Sequence, residues 1–168
     1  MFSQFFKFIR LLSSDVSPLQ ISSAIALAMI AGLTPMLSLH NLLIIFLLFI
    51  LRTNIAAFVL AWAVFSVMAY LLDPLFNQLG EYLLLNPELK VFWTNLYNIP
   101  LARISGFNNT LRLGSFVFSL AAFIPLLMVL NYLIVRYRIY IVERFKQSRL
   151  FRIMSTNKWV ARAVSFAE

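Results

Sequence analysis

Charged residues divide this chain into long uncharged stretches. Val16–Leu51 holds no Asp, Glu, Lys or Arg, nor does Thr53–Leu72, nor Leu113–Val135. About 20 apolar residues in a helix cross a hydrocarbon core of about 30 Å. The second and third stretches therefore predict one crossing each, over 54–72 and 113–135. The first is long enough for two short passes and is interrupted at "AGLTP", Ala31–Pro35. It predicts a helical hairpin over 17–51. Ahead of it, Phe2, Phe5, Phe6, Ile9 and Leu12 recur at three- and four-residue steps, with Lys7 and Arg10 off that stripe. That spacing predicts a helix over 1–15 lying in the membrane surface. The basic residues lie inside the apolar run and no small-residue cleavage site follows before Asp15, which argues against a cleavable signal. The connection over 73–112 is too apolar for a free loop and too charged to span, so short interfacial helices are expected there. Asp73–Pro74 is expected to end the preceding span, and Trp93 and Tyr97 suit the headgroup belt.

Composition sharpens the class. Of 168 residues, 62% are hydrophobic and 12% charged, whereas soluble domains run nearer half apolar and a quarter charged. The expected fold is an all-α integral membrane protein: a re-entrant or short hairpin, two further spans, interfacial helices and a basic tail over 136–168. With no cysteine, disulfides, thiolate chemistry and Fe–S clusters are excluded. Eight of the 14 Lys and Arg follow Val135, opposed there by Glu143 and Glu168 alone. Basic segments beside spans stay on the cytoplasmic side. Both termini are thus expected in the cytoplasm, with the tail against anionic headgroups and the 73–112 connection outside. Aromatic-and-basic stacking platforms are not evident, so nucleic acid is not an expected partner.

The break raises the chemical question. Gly tolerates left-handed dihedrals at a helix end, and Pro fits the first turn of the next helix, so Gly32 and Pro35 are expected to shape a tight turn. The turn either grazes the far interface or stops at membrane depth. Lacking Trp, Tyr, Lys or Arg, it favours the second, and a turn at depth must be buried in protein or line a wet cavity. Ser38, His40 and Asn41 follow it. They are either packing contacts or the lining of a lipid or partner cleft. Pro125 precedes Asn131 by the spacing that separates Pro35 from Asn41, which suggests a degenerate internal repeat. There the second unit is one proline-kinked span with Asn131 facing inward. Asn108, Asn109 and Thr110 can cap the last span or, with Arg112, hold a phosphate at a helix N-terminus. The serines lack a histidine–acid set, and no carboxylate pair or metal cluster appears. No enzyme, metal or cofactor is expected. A proton-coupled or small-solute transporter titrating at His40 and a purely structural anchor are the alternatives to lipid or partner handling.

Taken in order, "SPLQI", "GLTP", "LHNLLI", "RTN", "DPLFNQLGEYLL", "WTNLYNIPL" and "FNNTLRLGS" resemble a family of small bacterial inner-membrane proteins catalogued as a domain of unknown function. The resemblance covers about residues 10–140. Members of that family tend to be encoded beside a large envelope protein thought to form a lipid-conducting β-groove. The resemblance therefore implies a non-enzymatic subunit that docks that partner's transmembrane helix, handles lipid headgroups in envelope lipid transport, or does both.

Overall fold

A computed structural model describes residues 16–142. The expected surface helix over 1–15 and most of the basic tail lie outside them. Residues Val16–Asn131 form one compact unit, and Tyr132 onward belongs to a second. The helices are α1 (Pro18–Leu33), α2 (Leu39–Ile50), α3 (Ile55–Leu85), α4 (Lys90–Tyr97), α5 (Pro100–Ser105) and α6 (Thr110–Tyr137). A single 3-10 turn, Pro87–Leu89, precedes α4, and a π-helical turn, Arg138–Val142, follows α6. No strand occurs among the described residues.

Among the described residues, two helices are long and apolar enough to cross a membrane, α3 and the segment Thr110–Tyr140. They leave Val59, Val64, Val67, Leu71, Leu120, Ile124 and Met128 exposed. A soluble protein rarely exposes contiguous apolar surface on that scale. Hydrocarbon requires no such cover, and a helix satisfies its own backbone there. The chain is an all-α membrane protein.

Local chemistry sets where each helix begins. Ser17 caps α1 in a capping box with Gln20, and Pro18 occupies the first turn, where a missing N–H is no loss. Gln20 also ties this end to the start of α3: its Nε2 donates to the Arg52 carbonyl at 3.1 Å, and Asn54 N–H donates to the Gln20 carbonyl at 3.3 Å. Asn54 in turn caps α3, accepting from Ala57 N–H. Between α2 and α3 the chain closes a Schellman turn, with Thr53 N–H on the Leu48 carbonyl and Arg52 N–H on the Phe49 carbonyl. This places Arg52 at φ 48°, a position usually given to glycine.

Three expectations about breaks need correction. Gly32 does not end α1 in a left-handed conformation; it is helical. It is a point of close approach to α3, since a Cβ there would lie 2.7 Å from Phe65 Cβ and 3.1 Å from Ser66 N. Pro35 ends α1 indirectly. It forces its predecessor out of the helical region, and Thr34 is extended at φ −98°, ψ 153°. Nor does Pro35 open the next helix, which starts four residues later at Leu39. Finally, α3 runs straight through Asp73–Pro74 to Leu85. Proline costs one helical hydrogen bond, but packing holds α3 on both sides of it. Pro125 likewise sits inside a continuous α6, so the second half of the suggested repeat is one helix where the first half is broken.

α1 runs alongside α3 in the same direction, joined at Gln20–Asn54 and at Gly32–Phe65. α6 runs against α3: Gly80 abuts Thr110, and Phe76 abuts Gly114 and Phe118. A Cβ on Gly80 would land on the Thr110 carbonyl, and one on Gly114 would land on the Phe76 carbonyl. The Thr110 hydroxyl also donates to Asn77 Oδ1. Met29, Leu33 and Phe76 form the buried centre, with Phe65, Leu72, Leu126 and Phe123 around it. In the second unit, Arg136 lies between Tyr132 and Tyr140, donating to their hydroxyls at 3.1 and 2.7 Å over ring centroids 5.2 and 5.3 Å away.

The backbone contact at Gly80 makes the α3–α6 crossing sensitive to one methyl group. Gly80→Ala is expected to destabilise the fold by about 1–3 kcal/mol, the usual cost of overpacking. Val64→Ala, on the lipid-facing side, is expected to change stability by under about 0.5 kcal/mol. Thermal unfolding of both variants in detergent, compared with the parent, checks this contrast.

Candidate functional site

The turn over 34–38 gathers several of the residues singled out in the sequence, and their polar atoms face the turn itself. Thr34 Oγ1 donates to the Ile30 carbonyl at 2.8 Å. Ser38 Oγ donates to the Pro35 carbonyl at 2.6 Å. Asn41 Nδ2 bridges the carbonyls of Pro35 and Met36, both at 3.1 Å. The Pro35 and Met36 carbonyls, which lie between the helices, are thereby satisfied without water, while the Ile30 carbonyl also accepts from Thr34 N–H at 3.3 Å. Thr34 and Ser38 are buried, whereas Leu37 at the tip is 90% exposed.

His40 closes this network. Its Nε2 is 2.9 Å from Thr34 Oγ1. The same hydroxyl lies 3.3 Å from Asn41 Oδ1, so His40, Thr34 and Asn41 form one polar cluster. The imidazole face packs on Phe116 of α6, with ring centroids 4.6 Å apart. Phe116 stands four residues after Arg112, hence on the same helix face.

Arg112 is built in with comparable care. Asn109 caps α6, its Oδ1 accepting from Arg112 N–H at 2.9 Å. Nη1 donates to the Ser105 carbonyl at the end of α5, at 3.0 Å. Gly106 follows Ser105 at φ 69°, and a Cβ there would collide with Nη1. Glycine is required twice at this position, for the dihedral and for the guanidinium. Arg112 Nε is buried without an acceptor among the described residues.

His40 and Arg112 share one cleft of about 1040 Å³. One wall is the outer face of α2, with Leu42, Leu43, Phe46 and Phe49. The other walls are α4, α5 and the first two turns of α6. Trp93 fixes the α4 wall: its Nε1 donates to the Leu83 carbonyl at 2.8 Å, and its ring stacks on Phe107 at 5.7 Å. Trp93 was expected at a headgroup belt; it serves as a strut between the end of α3 and the α5–α6 turn. Arg112 is the charged residue among those lining the cleft, and nearly all the rest are apolar.

The residues singled out therefore divide into groups. His40 and Arg112 meet in the cleft. Pro35, Ser38 and Asn41 shape the turn at its edge, and Gly32 packs against α3 behind it. Asn109 caps α6 beneath Arg112, Thr110 reaches α3, and Asn108 is exposed. Asn131 is not brought to the cleft: nineteen residues beyond Arg112 on one helix, it lies about 28 Å away along the axis. Sequence reasoning missed the outer face of α2, Trp93 as a strut, Gly106 and Phe116. Gly106 alone left a readable signal, in "ISGFNNT" ahead of a helix cap. No group of three His, Asp or Glu suited to a metal occurs among the described residues.

Removing the bridging amide isolates the turn's contribution. Asn41→Leu leaves the Met36 carbonyl without its side-chain donor and is expected to cost about 1–3 kcal/mol. His40→Ala, which leaves the carbonyls paired, is expected to cost less. Unfolding midpoints of the two variants in the same detergent decide the order.

A family model described as an uncharacterized protein conserved in bacteria, DUF2062, matches residues 4–141. An uncharacterized protein of Treponema pallidum (strain Nichols) is 26% identical over 146 residues, covering 87% of this chain and 90% of that protein. No solved structure matches. The family match takes in the turn, both long helices and every wall of the cleft, and by it this chain belongs to the DUF2062 family.

Proposed function

We propose that this protein is a non-enzymatic, multi-pass subunit of the bacterial inner membrane that holds a membrane lipid in the cleft between α2 and the α4–α6 walls. The observation that carries the reading is the character of that cleft: about 1040 Å³, apolar over nearly its whole lining, with one guanidinium. Ligand sites are apolar concavities with a few placed polar groups, and a lipid is the membrane component that matches both parts. Its setting in envelope lipid transport, beside a larger partner, rests on the family resemblance.

The hairpin is read as re-entrant. At about 1.5 Å per residue, α1 and α2 reach only about 24 and 18 Å, short of the roughly 30 Å core. Gly32 lies against Phe65 and Ser66, only about 15–17 Å along α3 from its start. The side chains that satisfy the turn's carbonyls are what a turn at that depth requires. The charge distribution supports a topology with both termini in the cytoplasm and the α4–α5 segment outside.

Two measurements test this. Purified in gentle detergent, the protein is expected to retain one phospholipid in native mass spectra, and Ala102→Trp, which fills the cleft, is expected to abolish it. No retained lipid, with a stoichiometric protein partner in its place, overturns lipid holding in favour of helix docking. Because the chain has no cysteine, single substitutions report topology directly. Asn108→Cys is expected to react with an impermeant maleimide from the periplasm and Leu37→Cys to stay unlabelled. Equal labelling of the two means the hairpin crosses fully.

A further inference from the structure

We infer that the cleft selects lipids by charge: it takes phospholipids with a net anionic headgroup, whose phosphate sits on Arg112 while an acyl chain lies along Leu42, Phe46 and Phe49 of α2. This rests on the lipid-holding reading and goes further by naming the class of lipid and the group that chooses it.

The argument is one of charge complementarity. The lining carries one cation and, among the described residues, no Asp or Glu. Of the five N–H groups of a guanidinium, one is donated to the Ser105 carbonyl and Nε is closed off inside the protein, which leaves the remaining Nη N–H groups of this half-buried, cleft-lining side chain for an occupant. A cation in an apolar surround is costly without an anionic partner, and an occupant that supplies an anionic oxygen to those N–H groups relieves that cost. A phosphate is the lipid group best matched to a guanidinium.

Zwitterionic headgroups also carry phosphate, so the difference lies in where their ammonium goes. It requires a carboxylate or an aromatic cage. The cleft offers no carboxylate, and the aromatic residues nearest Arg112's end of it are taken up with one another, Trp93 on Phe107 and Phe92 on Trp93 at 4.8 Å, while Phe46 and Phe49 stand on α2 as separate rings with no cage between them. An ammonium drawn in with the phosphate would meet Arg112 as a like charge. The net-anionic lipid has no such penalty. The rest of the occupant is set by α2, whose exposed Leu42, Leu43, Phe46 and Phe49 leave the cleft open along one side to a chain arriving from the bilayer.

The test is lipid competition on the full-length protein in detergent. After delipidation, an equimolar mixture of phosphatidylglycerol and phosphatidylcholine is added and bound lipid is counted by native mass spectrometry. The parent is expected to favour phosphatidylglycerol by at least about tenfold, the span of one charged hydrogen bond. Arg112→Lys is expected to keep most of that preference and Arg112→Gln to bring the ratio near one. Ser105→Asp sets a carboxylate beside the guanidinium without removing it and is expected to abolish the preference as well, so the question stays answerable if Arg112→Gln does not fold. A parent that binds both lipids equally overturns charge selection while leaving lipid holding intact. An Arg112→Gln variant that unfolds earlier but keeps the preference makes Arg112 only a clip between α5 and α6, and likewise overturns it. A parent that binds neither lipid defeats the underlying reading instead.

Discussion

Every backbone carbonyl at membrane depth needs a donor from within the protein. A helix meets that need by construction; a turn does not. In this chain the turn over 34–38 interrupts two apolar helices, Ser38 and Asn41 satisfy its Pro35 and Met36 carbonyls, and Thr34 adds a second donor to the Ile30 carbonyl at the end of α1. Much else follows. With its carbonyls paired, the turn can sit among apolar side chains, Leu37 can point away from the protein, and α2 can start close to α6. His40, hydrogen-bonded to Thr34, is then held against Phe116, one turn from Arg112. The polar side chains beside the break are thus the reason a break is tolerated.

A second constraint operates between helices. Lipid tails are as apolar as leucine, so burying hydrocarbon provides little drive for helices to associate in a membrane, and close packing carries that role. The three helical glycines each lie at such a contact: Gly32 against α3, and Gly80 and Gly114 where α3 crosses α6. Gly106 does different work, in a left-handed turn under a guanidinium. The same residue type thus serves both the framework and the geometry of the cleft. The crossing at Gly80 also fixes the height of Thr110 and so the level at which Arg112 enters the cleft.

These roles explain what the sequence could and could not disclose. The uncharged stretches announced the hairpin and both long helices, because charge is excluded from hydrocarbon wherever the helix lies. The proline rules were less reliable. "GLTP" contains a real break and "DPLF" does not, though both hold a proline that disfavours helix at the preceding residue. The difference is tertiary: beyond Pro74, α3 is gripped at Gly80 by α6, while beyond Pro35 the carbonyls have side chains ready to receive them. Gly32 was read for its dihedral freedom, but a helical glycine facing a neighbour looks identical in sequence to a helix-ending one. His40 and Arg112 were each visible as unusual. Their meeting was not, because it depends on the angle at which α6 crosses two other helices. Asn131 was raised by a spacing coincidence with Asn41, and Asn41 turns out to serve the turn that α6 lacks.

On the proposed reading the cleft is a passive holder. A catalytic site brings several titratable groups into mutual reach, whereas here one guanidinium and one imidazole stand in an apolar surround, each already tied to the backbone or to a neighbouring hydroxyl. Such ties position a group and limit how far it can move. A transporter of protons would need a chain of exchangeable partners, and proton relays usually include an acid; none lines this cleft. A helix-docking groove would favour small residues along its floor so that backbones approach, but α2 offers Leu42, Leu43, Phe46 and Phe49. Bulky flexible side chains with gaps between them suit a hydrocarbon chain better than a second helix. The wall chemistry therefore separates the readings in the same direction as the single charge does.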